Sequence, residues 1–318
     1  MSFAEEFKHR IFEINEETFQ DSSLAAFEYQ YSNCQIFHEY CNHLKKTPKN
    51  VNRLNEIPFL PIECFKNHAV KSGEWSEAKI FKSSGTTASG RSQHFIKDLP
   101  HYHQSAKSNF EAIFGSLSEF LIVAILPSYQ AQGDSSLIGM VDYFMRFSKP
   151  DSGYFLEENI DHVLSTTDKK LVIGVSYALL DLAEKAPKTN NAIIMETGGM
   201  KGRRKEMTRS ELHSNLKRGF GVDHIWSEYG MTELQSQAYG RDGNFSFPSW
   251  ARCLIRDIND PFTYLPEEKT GGINVIDLAN IDTCCFIETK DLGRLRNEKF
   301  EVLGRFDNSD IRGCNLLI

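Results

Sequence analysis

The sequence predicts an α/β protein, with a largely parallel sheet flanked by helices and a smaller antiparallel β subdomain near the C-terminus. Three observations carry that prediction. Apolar strand-like runs alternate with amphipathic helical segments through the middle of the chain, the pattern of βαβ units. Phe120 to Leu126 is apolar throughout, as a strand buried on both faces must be. After Pro248 the texture changes to short strands separated by turns such as Asn259-Asp260-Pro261 and Thr270-Gly271-Gly272.

The elements follow in order. From Ser2 to about Leu44, apolar residues recur every three or four positions (Phe3, Phe7, Ile11, Ile14, then Leu24, Phe27, Tyr31, Cys34, Phe37), which predicts amphipathic helices. Prolines at 48, 58 and 61 favour an extended connection. Lys79 to Lys82 reads as a short strand entering Ser83-Ser84-Gly85-Thr86-Thr87, His101 to Phe114 as a helix, and Phe120 to Leu126 as a strand stopped by Pro127. Strand and helix then alternate: Leu171 to Val175, Tyr177 to Lys185, Ala192 to Met195. The next helix opens with the capping box Thr208-x-x-Glu211 and ends near Gly219 or Gly221. Val222 to Trp226 is a further strand, and Ala251 to Asp257, Gly272 to Asp277 and Thr283 to Ile287 belong to the antiparallel part. The expected organisation is a helical region over 1–78, an α/β core over 79–247 and the β subdomain over 248–318.

Composition bounds the function classes. The 318 residues are 40% hydrophobic and 25% charged, an ordinary globular balance that excludes global disorder. The formal charge of −7 argues against a nucleic acid as main partner, while leaving room for a local basic pocket. The longest apolar run has seven residues, against the ~20 needed to span a bilayer, and the start of the sequence has no apolar signal core. A cytoplasmic protein without a transmembrane segment is expected. Seven cysteines include no C-x-x-C pair, so most are read as buried thiols; Cys314, near the last residue given, is the exception.

Two stretches carry chemistry. Ser83-Ser84-Gly85-Thr86-Thr87-Ala88-Ser89-Gly90-Arg91-Ser92 gathers hydroxyls, glycines and one cation in a single turn, the groups that surround a polyphosphate without bulk. It lacks the Walker A spacing, and runs of this composition also form plain exposed linkers. Trp226-Ser227-Glu228-Tyr229-Gly230-Met231-Thr232-Glu233 closes a predicted strand. There Tyr229 can stack on a base, Gly230 admits close backbone approach, and Glu233 can reach Mg2+ held by phosphates. An ordinary strand-to-helix turn is the other reading.

Taken together, these stretches resemble the motifs of the adenylate-forming superfamily, which includes acyl-CoA synthetases and peptide-synthetase adenylation domains. Ser83-Ser84-Gly85-Thr86-Thr87 resembles its phosphate loop, and Tyr229-Gly230-Met231-Thr232-Glu233 its aromatic-Gly-x-Thr-Glu motif. Thr289-Lys290-Asp291-Leu292-Gly293-Arg294 resembles the Thr-Gly-Asp segment whose Asp binds ribose, and Gly304-Arg305-Phe306-Asp307 the hinge signature. Gly198-Gly199 is similar to the segment that contacts adenine. The nearest likeness is to the acyl-protein synthetase (LuxE-type) family, carried by Ile57-Pro58-Phe59-Leu60-Pro61 with Phe65-Lys66, by Leu126-Pro127-Ser128-Tyr129 with Ser135-Ser136-Leu137, and by Arg312-Gly313-Cys314.

The resemblance implies the large N-terminal domain of an adenylate-forming enzyme. Such an enzyme uses ATP and Mg2+ to activate a fatty or other apolar carboxylic acid. It passes the acyl group to a thiol: Cys314 itself, a reductase or a carrier protein. It implies nucleotide contacts by Ser83 to Thr87, Arg91, Gly198, Gly199, Tyr229 to Thr232 and Asp291, with Glu233, Arg305 and Cys314 in catalytic roles. The sequence departs from the pattern at three points. Arg91 stands where a lysine is usual, Lys290 replaces the Gly of Thr-Gly-Asp, and no segment corresponds to the mobile C-terminal domain with its catalytic lysine.

Other readings compete. Gly174-Val175-Ser176-Tyr177-Ala178 resembles a nucleophile elbow, which would make the chain a serine-dependent hydrolase-type acyltransferase with His213 or His224 as base. A catalytically reduced nucleotide- or acyl-binding protein is a third. His101 and His103 fall at i,i+2, which on a helix do not share a face. The basic run Lys201-Gly202-Arg203-Arg204-Lys205 is either a solvated surface or a dock for an acidic partner.

Overall fold

The amino-terminal part is helical as predicted but broken at 14–18 and at Cys34, and Phe3 of the predicted apolar stripe is exposed. The computed structural model describes residues 2–83, 90–127, 133–155, 160–199, 203–205 and 207–306. These form two compact units, one from the residues up to Gly73 together with those from Ser249 onward, the other from Glu74–Pro248. Helix α1 (Phe3–Arg10) opens with a capping box in which the Ser2 hydroxyl accepts from the Glu5 amide and the Glu5 carboxylate accepts from the Ser2 amide. Helices α2 (Phe19–Asn33) and α3 (Gln35–His43) bury Phe19, Phe27, Phe37 and Cys41. Strand β1 (Leu60–Pro61) and the short helix α4 (Cys64–Asn67) follow.

The second unit begins with an antiparallel pair, β2 (Lys79–Lys82) and β3 (Gln93–Ile96). Helix α5 (Leu99–Phe114) starts where the Asp98 carboxylate accepts from the His101 amide and Pro100 pre-sets the first turn. Then come β4 (Leu121–Ile125), α6 (Ser136–Met145), β5 (Gly153–Tyr154), α7 (Ile160–Ser165), β6 (Lys170–Val175), α8 (Ser176–Ala183), β7 (Ala192–Thr197), α9 (Arg209–Phe220), β8 (Trp226–Tyr229), β9 (Ala238–Arg241) and β10 (Asn244–Ser246). The sheet order is β5-β4-β6-β7-β8-β9-β10, with β5 to β8 parallel and the last two strands antiparallel.

Every residue of β4 and β6 is buried, as strands covered on both faces must be. Phe110 anchors the core through ring contacts with Phe120, Phe144 and Tyr239. Lys170 is fully buried, and its ammonium donates to the carbonyls of Thr166 (2.7 Å), Asp168 (2.9 Å) and Asn190 (3.1 Å).

The predicted capping box of α9 forms as expected, and Gly221 ends that helix in the left-handed conformation at φ +65°. The following strand starts at Trp226, later than the predicted Val222. After the Gly221 turn, Asp223 and His224 stay at the surface, with His224 bonded to Asp242 at 2.9 Å.

The first unit is completed by β11 (Ala251–Arg256), β12 (Gly271–Asp277), β13 (Phe286–Arg296) and β14 (Lys299–Arg305), an antiparallel meander. Strand β13 begins after Thr283 and runs well past the predicted Ile287, so it carries the Thr289 to Arg294 segment. Within this unit β1 pairs in parallel with β13, Leu60 opposite Ile287. A buried amide fastens α2 to the connection before β13: Gln30 donates to the Asn280 and Ile281 carbonyls (3.0 and 3.1 Å) and accepts from the Cys285 amide (2.8 Å). Among the described residues no helix is long and apolar enough to cross a membrane.

Helices α8 and α9 touch where Gly219 lies against Ala183. A Cβ at 219 would meet the Ala183 carbonyl oxygen and come within 2.5 Å of the Ala183 Cβ. Gly219→Ala should therefore cost about 1–3 kcal/mol by overpacking, read as a lower urea midpoint with unchanged slope. An unchanged midpoint would refute this close packing.

Candidate active site

Parallel strands place their carboxyl ends on one edge, and in open α/β sheets ligands bind in the crevice outside those ends. Here the edge carries Ser176 after β6, Glu196 and Thr197 at the end of β7 before Gly198-Gly199, and Glu228 and Tyr229 at the end of β8 before Gly230. Thr197 and Glu228 are register partners, and the Thr197 hydroxyl donates to the Glu228 carboxylate at 2.5 Å. The Gly198-Gly199 and Tyr229-Gly230 turns, which the resemblance assigns to a nucleotide, are thereby tied together at their roots.

The two carboxylates of this edge differ in environment. Burial alone would raise Glu196, but His213, Arg209 and Ser227 outweigh it and hold the carboxyl below the usual range. His213 Nε2 lies 3.6 Å and Arg209 Nε 4.0 Å from Glu196 Oε1, while the Ser176 hydroxyl sits 3.1 Å from Oε2. Glu228 is pushed up to about 7, first by burial and then by the negative charge of Glu196, against the lowering hydrogen bond from Thr197. The buried phenols Tyr102 and Tyr239 are near enough that the Glu228 charge raises them further. A Cβ on Gly230 would land on the Glu228 Oε1 atom, so a side chain there requires the carboxyl to move away. Tyr229 is half-buried, its ring 5.8 Å from Phe245 and 6.2 Å from Phe247.

Beyond Gly230 the segment Met231-Thr232-Glu233 is fixed from a distant part of the chain. His94, on β3 and fully buried, places Nδ1 2.7 Å from the Thr232 carbonyl oxygen. A carbonyl only accepts, so Nδ1 carries the proton and donates. Glu233 is buried at 5% exposure. One carboxylate together with substrate phosphates is an ordinary Mg2+ environment, so Glu233 fits that ion.

Ser84 to Thr87 lie outside the described residues, but the ends of their loop are seen. The Ser83 amide donates to the Ser92 carbonyl at 3.1 Å, and the Ser92 amide to the Ser83 hydroxyl at 3.0 Å. Arg91 donates to both oxygens of Asp134 at 2.9 and 3.0 Å, to the Lys82 carbonyl at 3.1 Å and to the Ser83 carbonyl.

In the other unit Asp291, at 8% exposure, pairs with Arg305 at 3.2 Å across the β13–β14 ladder, and its amide donates to the Thr289 hydroxyl at 3.1 Å. Buried Arg256 holds this stretch of β13 to β12 by donating to the Thr289 and Ile273 carbonyls (3.0 and 3.1 Å) and to the Asn274 side chain (3.0 Å). Cys314 lies outside the described residues. Glu196, Glu228, His94, Asp134 and Arg256 were not singled out from the sequence. Only the first two had a signal, polar residues at the ends of apolar strands.

The remaining candidates take other roles. Ser176 is buried, donates to Glu196 and the Gly198 carbonyl (2.9 Å), and is not among the left-handed residues; His213 faces Glu196 and Ser227 rather than Ser176. Arg204 of the basic run is paired with Asp181 and Glu184. His103 stacks on Tyr143 at 4.2 Å, whereas His101 is buried.

No protein-family model and no curated protein sequence matches the chain. Solved structures do. ATP-bound MatB from Rhodopseudomonas palustris superposes with a TM-score of 0.53 at 18% identity over 75% of this chain. A 2-hydroxyisobutyryl-CoA ligase with 2-HIB-AMP and CoA, in the thioesterification state, gives 0.66 at 12% identity over 94% of this chain. This chain shares their fold. It spans about half of MatB (49%) and 71% of the second ligase.

Glu228 sets a pH dependence of stability. Folded, it keeps its proton up to about pH 7; unfolded, it releases it near 4.5. The folded state binds more protons in that window, so its stabilisation is complete below 4.5 and is lost as pH rises through 7. Glu228→Gln keeps an acceptor for Thr197 and should flatten this part of the curve, measured by urea midpoints from pH 4.5 to 7.5. Parallel curves for the two proteins would contradict the assignment.

Proposed function

We propose that this chain uses ATP to activate a carboxylic acid as its acyl-adenylate and then transfers the acyl group to a thiol, in the manner of an acyl-protein synthetase. One observation supports the reading: the fold shared with an ATP-bound protein and a ligase bound to 2-HIB-AMP and CoA, in a chain whose Gly198-Gly199 and Tyr229-Gly230 segments follow the adjacent strands β7 and β8. The substrate is a fatty or other apolar acid, and the acceptor is Cys314 or a partner such as a reductase or carrier protein.

The steps balance simply. A carboxylate oxygen attacks the α-phosphorus of ATP, the bond to the β-phosphate oxygen breaks, and pyrophosphate leaves. The Cys314 thiolate then attacks the acyl carbon and AMP departs, so one difficult transfer becomes two easier ones. Arg312, two residues from Cys314, favours the thiolate. The Ser83 hydroxyl, with amides and hydroxyls of Ser84 to Thr87, stabilises charge on the transferring phosphoryl group. Tyr229 stacks on the base beside Gly198 and Gly199, and Asp291 takes the ribose hydroxyls with Arg305 at its side. Glu233 would hold Mg2+, which supplies charge neutralisation on the phosphates.

A carboxylate-dependent ATP–pyrophosphate exchange screen tests the reading. At least one apolar acid should support exchange, and Tyr229→Ala should raise the ATP KM by roughly tenfold or more, the worth of one stacked base. Intact-mass analysis with that acid should show an acyl adduct that Cys314→Ser abolishes while exchange persists. Exchange with no acid would overturn the activity; an adduct surviving Cys314→Ser would overturn the acceptor.

A further inference from the structure

The sequence sets Arg91 where a phosphate-binding cation is expected, yet its geometry serves a different purpose. A guanidinium has five N–H donors. Four hydrogen bonds occupy it: Nε to the Ser83 carbonyl, Nη1 to Asp134 Oδ2, and Nη2 to both Asp134 Oδ1 and the Lys82 carbonyl. The fork-to-fork contact with Asp134 neutralises the cation and fixes its plane. Asp134 is itself anchored, because its carbonyl accepts from the Lys82 amide at 2.8 Å and the neighbouring Gly133 carbonyl accepts from the Lys79 ammonium at 2.9 Å. Residues 133–134 therefore lie docked along β2, at the entrance of the Ser/Thr loop.

We propose that Arg91 is a positioning residue that acts through Asp134 to lock the two ends of the Ser83–Ser92 loop, rather than a group that binds phosphate. The proposal rests on the reading of that loop as an ATP site. It makes a specific claim about chemistry. Phosphate can be held by a guanidinium fork or by lysine as a point charge, whereas the brace needs a planar fork with donors in three directions at once, to Asp134, Lys82 and Ser83. Arg91 and Asp134 also become a single unit, so deleting either should do what deleting both does.

The test is a double-mutant cycle with Arg91→Ala, Asp134→Ala, the double variant and Arg91→Lys, measuring the Kd of ATP by titration calorimetry. Both single substitutions should weaken ATP by a similar factor, about tenfold, with the double variant no weaker and Arg91→Lys as poor as Arg91→Ala. Hydrogen exchange at the Ser83 and Ser92 amides should accelerate alike in all four. Arg91→Lys binding ATP like the unaltered chain, Asp134→Ala leaving affinity intact, or multiplying effects would overturn the proposal. If the unaltered chain binds no ATP, the proposed activity falls. The brace is then judged on the two amides, and unchanged exchange there overturns it.

Discussion

A strand covered on both faces has nowhere along its length to keep a charge. Strand β4 meets that constraint by carrying no polar side chain, and β6 and β7 by keeping theirs at the ends. At the amino end of β6, Lys170 is enclosed by three carbonyls. At the carboxyl ends the polar groups converge on one edge. There α9 brings His213 and Arg209 to Glu196 and, with Ser227, they hold its carboxyl below the usual range against the burial that would raise it. The position of α9 is thus part of the site. The contact of Gly219 with Ala183 is what lets that helix sit close enough.

The same economy governs the other unit, where buried polar side chains hold strands in place. Gln30 spends three hydrogen bonds on the connection before β13, and Arg256 three on β12 and β13. Between them they hold β12, β13 and the connection before β13, and the β13–β14 ladder places Asp291 opposite Arg305. In both units the residues proposed to meet substrate are presented by neighbours that do not meet it, which is how a strand-end site gains rigidity without bulk.

What the sequence made legible was local. Strand β2 and the capping box of α9 lie where the residues put them, because each rests on contacts within a few positions. The delayed start of β8 followed from surface pairing around Asp242, which periodicity does not report. The motif turns could be named in advance. The hydrogen bonds that position them could not. His94 reaches Thr232 across 138 residues and Arg91 reaches Asp134 across 43. Thr197 meets Glu228 only because of the β7–β8 register. None of these pairs leaves a pattern in the chain itself, since each partner is an ordinary polar residue until the fold supplies the other.

The central claim is that ATP is seated at the carboxyl ends of β7 and β8. Hydrogen exchange followed by mass spectrometry, with and without millimolar Mg-ATP, tests it without knowledge of the acid. Protection of 196–199 and 228–233 is the predicted result. Protection confined to the opposite, amino ends of these strands, or none at saturating nucleotide, would contradict it.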